Sequence, residues 1–208
     1  MDIFETLANP DLRSLDPNGG FLVITTYWRP RSGDPDPEHP GEKLSALSYL
    51  PTDADEFCPC GSGNSFGACC QPLPYWQPVC PNPDMQGYSL VQPQSARFTH
   101  IPADVVYAFL QADERLYSVE DTQQRTFWIY WGDPAFDTPS LGTVCFGDLE
   151  LQRDKTLVVS GLSNTRMEVL LDLLHPLKLS SPQMQQDPFP HPEKPGKKAS
   201  SRKRRRLH

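Results

Sequence analysis

The stretch LGTVCFGDLELQRDKTLVVSGLSNTRMEVLLDLLHP, residues 141–176, decides the fold class. Residues 141–146, 149–151 and 157–160 read as short strands, and Arg153-Asp154-Lys155 turns between the last two. Ser163 or Asn164 can then cap a helix in which Met167, Leu170, Leu171 and Leu174 recur at helical spacing, and His175-Pro176 ends it. A strand–strand–helix unit of this kind packs its helix on one face of an antiparallel sheet. The expected architecture is therefore α+β, a small antiparallel sheet with two packed helices.

Working outward, residues 126–131, Thr-Phe-Trp-Ile-Tyr-Trp, form an aromatic strand stopped by Gly132-Asp133-Pro134. Its two faces are both apolar, so it belongs in the interior of a sheet or is covered on both sides. The second helix is expected over 102–117, with Pro102 in the first turn, Asp104 near the positive end, and Val106, Phe109 and Leu110 on a core face. Residues 21–28, 44–50 and 88–91 supply further strands. Ile3, Phe4 and Leu7 make a short amphipathic run that Asn9-Pro10 breaks. Prolines 30, 35, 37 and 40 mark an exposed loop over 29–43, and five more prolines keep 71–87 extended or turned.

The chain has 208 residues and a net charge of −7, unevenly placed. Residues 1–186 carry a balance of −13 and residues 187–208 one of +6. From Ser180 the composition shifts to Pro, Gln, Ser, Lys and Arg, which cannot bury enough surface to offset ordering entropy, so 180–208 is expected to be a disordered basic tail. No apolar run approaches the roughly 18 residues that span a bilayer, and the acidic start Met-Asp-Ile-Phe-Glu does not resemble a secretory signal. A cytoplasmic location is expected. In a reducing compartment clustered cysteines bind metal more often than they form disulfides.

Four of the six cysteines fall in one short segment, Phe57-Cys58-Pro59-Cys60-Gly61-Ser62-Gly63-Asn64-Ser65-Phe66-Gly67-Ala68-Cys69-Cys70-Gln71-Pro72. Two close pairs of thiolates joined by a turn-rich loop can converge on one tetrahedral cation, so Cys58, Cys60, Cys69 and Cys70 are the candidate ligands of a structural Zn²⁺. The alternative is a pair of disulfides or buried thiols, to which adjacent Cys69 and Cys70 and the polar loop are poorly suited. Gly61, Ser62 and Gly63 permit the tight turn that points backbone amides at sulfur. Cys80 is either a spare ligand or a buried thiol, and Cys145 reads as core.

The sequence Cys58-Pro-Cys60-Gly-Ser-Gly, followed by Phe66 and Cys69-Cys70, resembles the SEC-C motif, the zinc-binding module named for the C-terminus of the bacterial translocation ATPase SecA. The resemblance covers residues 57–72 and implies a zinc knuckle. The motif usually carries two lysines and a later basic residue, where this chain has Asn64, Ser65 and Gly67 or Ala68. In SecA the module is similar to a basic docking patch for the acidic chaperone SecB and for ribosomes. Without those lysines, SecB binding by this knuckle is not expected. Nothing resembling an ATPase accompanies it.

The expected organisation is a strand-containing segment over 1–56, the knuckle at 57–72, an α+β core over 73–179, and the tail over 180–208. No HExxH, GxSxG or GxxxxGK[ST] pattern is present. Cys80 and His100 are a candidate nucleophile and base, since such partners need only meet in space. Asp53, Asp55 and Glu56 precede the knuckle, but a four-cysteine zinc has no open position for water, so they read as solvated carboxylates. The expectation is a non-enzymatic, adaptor-like factor with an unidentified protein partner. A ribosome- or nucleic-acid-associated factor is the alternative, with Arg202, Lys203, Arg204, Arg205 and Arg206 attracting phosphates. An enzyme with its site in the α+β core is the third reading.

Overall fold

The computed structural model describes residues 12–28, 45–50, 53–84, 87–131 and 143–187. After a short 3-10 helix, Leu12–Ser14, come β1 (Gly20–Trp28), β2 (Ser45–Leu50), β3 (Trp76–Pro81), β4 (Tyr88–Leu90) and β5 (Gln94–Phe98). Helix α1 (Ala103–Ala112) follows, then β6 (Leu116–Asp121), β7 (Arg125–Trp131), β8 (Thr143–Gln152), β9 (Thr156–Gly161), α2 (Asn164–Leu174) and β10 (Gln183–Gln186). The class is α+β. All ten strands join one sheet, whose main path runs β10-β5-β9-β8-β1-β3-β4, with β7 and then β6 added along β8, and β2 along β1.

The strand–turn–strand–helix unit forms as expected over its described residues, 143–176, with two adjustments. Residues 143–152 make a single strand, and the break anticipated near Gly147 is an irregularity in the β7–β8 register between Tyr130 and Trp131. Ser163 caps α2, its hydroxyl accepting from the Arg166 amide at 3.3 Å. The aromatic strand β7 lies between β6 and β8, with Trp128 facing the helices and Ile129 clustering with Cys145 on the other side.

Three expectations need correction and one is sharpened. The sheet is not small, and it is not wholly antiparallel, because β1 and β3 pair in parallel, Gly20 with Trp76 through Val23 with Val79. The proline-rich segment 71–87 holds β3; Pro78 lacks an amide, yet its carbonyl accepts from Val91 N–H at 2.9 Å. Helix α1 ends at Ala112, where Asp113 takes an extended conformation and its carboxylate accepts from the Arg115 amide and pairs with the Arg115 guanidinium at 2.7 Å. That turn releases Tyr117 and Val119 into β6. Finally, 183–186 is strand although it begins inside the stretch expected to be disordered. Its residues are exposed, and it is held by backbone pairing with β5, which composition does not register. The rest of the tail from 188, the run Ile3–Leu7 and the loop 29–43 lie outside the described residues.

The apolar residues divide into two main clusters. Val106 and Leu110 of α1 and Met167, Leu170, Leu173 and Leu174 of α2 pack with Phe98, Trp128, Leu149, Leu157 and Val159 of the sheet. Leu12, Phe21, Val23, Trp76, Val79 and Tyr88 form the other cluster, together with Cys58, Cys60, Phe66 and Cys70. The cysteine segment is thus part of a core built on β1 and β3. Among the described residues no helix is long and apolar enough to cross a membrane.

Candidate metal centre

The segment 53–73 is irregular and held by its own backbone hydrogen bonds. Cys58 N–H donates to Asn64 O at 2.8 Å, Phe66 N–H to Glu56 O at 2.7 Å, and Gly67 N–H to Ala54 O at 2.7 Å. A single bridge between Phe57 and Ser65 closes the first loop. Gly61 and Gly63 have φ of +79° and +73°, a conformation that costs other residues roughly 1–2 kcal/mol, which is why this loop carries glycine at both places. The second pair sits on a turn in which Cys69 and Gln71 N–H both donate to Phe66 O.

These turns bring the sulfurs of Cys58, Cys60, Cys69 and Cys70 within 4.8 Å of one another. Cys58, Cys60 and Cys70 are buried and Cys69 is partly exposed. All six cysteines are free, and the 3.4 Å between Cys60 and Cys69 Sγ far exceeds a disulfide bond of about 2.05 Å. Tetrahedral coordination at a metal–sulfur distance of about 2.3 Å separates sulfurs by about 3.8 Å, so small side-chain adjustments suffice to close around an ion. Two negative sulfurs about 4 Å apart repel by about 4 kcal/mol even in a moderately polar environment. Four ionised thiolates in this space therefore call for a cation, and the donor set fits one.

The protein supplies part of that positive charge from an unexpected place. The Arg13 guanidinium, on the 3-10 helix, donates from Nη2 to Cys69 Sγ at 2.9 Å and to Cys70 Sγ at 3.4 Å. Its Nη1 reaches Pro17 O and Gly19 O at 3.3 and 3.4 Å. The 16–19 turn is in turn fixed by Asp16, which accepts from the amides of Asn18 and Gly19 and from the Tyr75 hydroxyl. Ser62 Oγ lies 3.1 Å from Cys69 Sγ. Trp76 Nε1–H donates to Cys70 O at 2.9 Å, and the Trp76 ring meets Phe66 at 5.5 Å between centroids. Gly20, paired with Trp76, leaves no room there for a side chain.

Without an ion the thiols are unequal. Burial opposes ionisation of Cys60, but hydrogen bonds from the Ser62 hydroxyl, Cys69, the Ser62 amide and Cys58 together bring it down to about 6. The Cys58 thiol is pushed up by its hydrogen bond to Cys70 and by burial, against the opposing Cys60 amide. Burial also pushes Cys69 up, against Ser62 and Arg13. Burial works against the charge on Arg13, and its bonds to Cys69 and Cys60 outweigh that and hold it firmly protonated.

All four cysteines singled out in the sequence converge, and Cys80 does not join them; it is buried with Ile24 and Val91. Cys145 is buried beside Ile129. His100 is exposed ahead of α1, and no hydrogen bond links it to Cys80 among the described residues. The basic run 202–206 lies outside the described residues. Arg13 was not foreseen: four basic residues precede the cysteines, Arg13, Arg29, Arg31 and Lys43, and nothing in their spacing selects one. The only signal was the absence of lysines inside the motif, which leaves the cluster's charge to be offset from elsewhere. Comparison with protein-family models gives no match, and comparisons with curated proteins and with solved structures give none either.

Proposed function

We propose that Cys58, Cys60, Cys69 and Cys70 hold one structural Zn²⁺ in a SEC-C-type knuckle, and that the protein is a non-enzymatic binding factor of a reducing cytoplasm. The observation that carries the metal reading is the convergence of four sulfurs within 4.8 Å on a segment with the CPCGSG…CC pattern. Four thiolates fill a tetrahedral site, leaving no position for a substrate or an activated water, so the ion's contribution is to folding. The binding reading draws support from Phe57, 61% exposed immediately before Cys58, and Leu15, 59% exposed two residues after Arg13. Large apolar side chains left in solvent beside a rigid knuckle suit a protein partner.

Metal analysis of reduced protein tests the first part: one equivalent of zinc is expected, lost in a Cys58→Ser, Cys60→Ser double variant, and a protein carrying iron or no metal refutes it. Affinity capture with wild type and a Phe57→Ser, Leu15→Ser variant tests the second. A partner retained by wild type alone is expected, and identical capture by both removes the case for this surface. The basic run 202–206 supports a secondary role in contacting nucleic acid. Retention of nucleic acid at moderate salt after deletion of residues 187–208 would refute that role.

A further inference from the structure

Strand β8 changes neighbours along its length. Cys145 pairs with Thr26 of β1, whereas from Gly147 onward it pairs with β9, Gly147 facing Gly161. At this handover a cavity of about 280 Å³ opens, with Gln94, Ser95, Asp148, Ser160, Arg166 and Asp187 on its walls. It lies outside the cysteine centre and shares no residue with it.

Arg166 is 1% exposed, on the first turn of α2. Its Nε–H and Nη2–H donate to Pro81 O at 3.1 and 2.9 Å, and Nη1–H donates to Cys145 O at 3.4 Å. The guanidinium also lies 4.8 Å from the centre of the Phe146 ring. These contacts orient the group but bring no negative charge, and none of the ion pairs among the described residues includes it. A guanidinium has five N–H donors, so two remain after these three bonds. Burying a cation is costly unless an anion close by offsets it; among the described residues no carboxylate contacts Arg166 directly, and the cavity beside it is where a ligand anion would be stabilised.

The same cavity carries carboxylates. Asp148 is largely buried on the β8 wall, its carboxyl pushed up to about 6 by burial despite the Ser160 hydrogen bond. Asp187 lies at the rim, fixed by its amide donating to Pro93 O at 2.9 Å. Cys145 is no nucleophile here, since burial pushes its thiol up to about 12. One cation and two carboxylates on the walls of a small cavity select against a phosphate, which the carboxylates repel, and in favour of a molecule with both signs of charge. The volume lies just under the range of roughly 300–1,000 Å³ typical of drug-sized ligands. We propose that this cavity binds a free α-amino acid, its carboxylate on Arg166 and its ammonium on Asp148 and Asp187.

The test is thermal-shift and calorimetric titration of the full-length, metal-loaded protein with the twenty amino acids singly, and with acetate, methylamine and inorganic phosphate as controls. Saturable binding of at least one amino acid at millimolar concentration is expected, with none of the controls matching it. Asp148→Asn should weaken that binding by at least about tenfold, the loss of one charged hydrogen bond. Ser95→Trp, which fills the cavity while leaving both charges, should abolish it. Arg166→Lys should also weaken binding, and because this variant can fail to fold, the Asp148 and Ser95 variants decide the matter without it. Equal binding of acetate or phosphate, amino-acid binding that survives both decisive variants, or no amino-acid binding at all would each overturn the proposal. The last outcome leaves Arg166 as a strut between β3 and β8.

Discussion

At the scale of single residues, Arg13 changes the account of the metal centre most. A four-thiolate zinc carries a net charge of −2, and a guanidinium bonded to two of its sulfurs halves that charge within a partly buried setting. Groups bonded to metal ligands typically contribute about 10- to 100-fold to metal affinity. Arg13→Met is expected to weaken zinc binding by that order in competition with a chromophoric chelator, while Arg13→Lys, which keeps charge but not the fork, falls between. Unchanged affinity in Arg13→Met would mean that the contact is incidental.

Asp148 offers a second residue-level test, through pH. Its carboxyl is raised from 3.8 to about 6, so between those values the folded chain holds a proton that the unfolded chain has released. The favourable contribution is complete below about pH 4 and is lost as pH rises to about 6, after which the ionised group is held at a cost of up to about 3 kcal/mol. Asp148→Asn should remove that decline and raise the melting temperature at neutral pH. Parallel melting curves of wild type and variant from acid to neutral pH check it, and curves of identical slope would count against a raised carboxyl.

At the scale of elements, β3 joins the cysteine segment to the sheet. Its first residue, Trp76, bonds Cys70 O and packs its ring at a tilt against Phe66, and its body pairs with β1. Trp76→Phe keeps most of the ring but removes the indole donor to the Cys70 carbonyl, which still accepts from the Leu73 amide at 3.1 Å, so the loss is that of one hydrogen bond, about 0.5–1.5 kcal/mol. The expected result is a lower denaturant midpoint with zinc stoichiometry intact, and an unchanged midpoint would show that water replaces the indole. Two elements depart from the expectation for different reasons. Helix α1 stops short of 117 because Asp113 breaks the backbone although apolar spacing continues past Ala112, and β10 forms in a polar stretch because an exposed edge strand is specified by its neighbour's unpaired backbone groups.

At the scale of the whole molecule, the two main apolar clusters predict how metal loss spreads. Cys58, Cys60 and Cys70 are packed in the cluster built on β1 and β3, whereas the helices bury theirs against β5, β7, β8 and β9. Structural zinc contributes roughly 10–16 kcal/mol in small knuckles, enough that its removal should open the first cluster. Hydrogen exchange after chelation is expected to lose protection over 53–81 and in β1, with α2, β8 and β9 still protected. Loss of protection at the same rate throughout would show one cooperative unit.

Much of this was legible in the chain because it depends on local spacing: the cluster of four cysteines, the glycine turn, a helix cap at Ser163 or Asn164 and the aromatic strand at 126–131. Periodicity, turn chemistry and cysteine pairs are encoded within a dozen or so residues, and the sequence by itself determined them. Tertiary structure alone decided that β1 and β3 run in parallel, that Arg13 reaches sulfurs 56 and 57 positions away, and that Arg166 is buried beside a cavity. The physical reason is that charge compensation and strand partnership are set by distance in space, and a chain's composition records which charges exist without recording which of them meet.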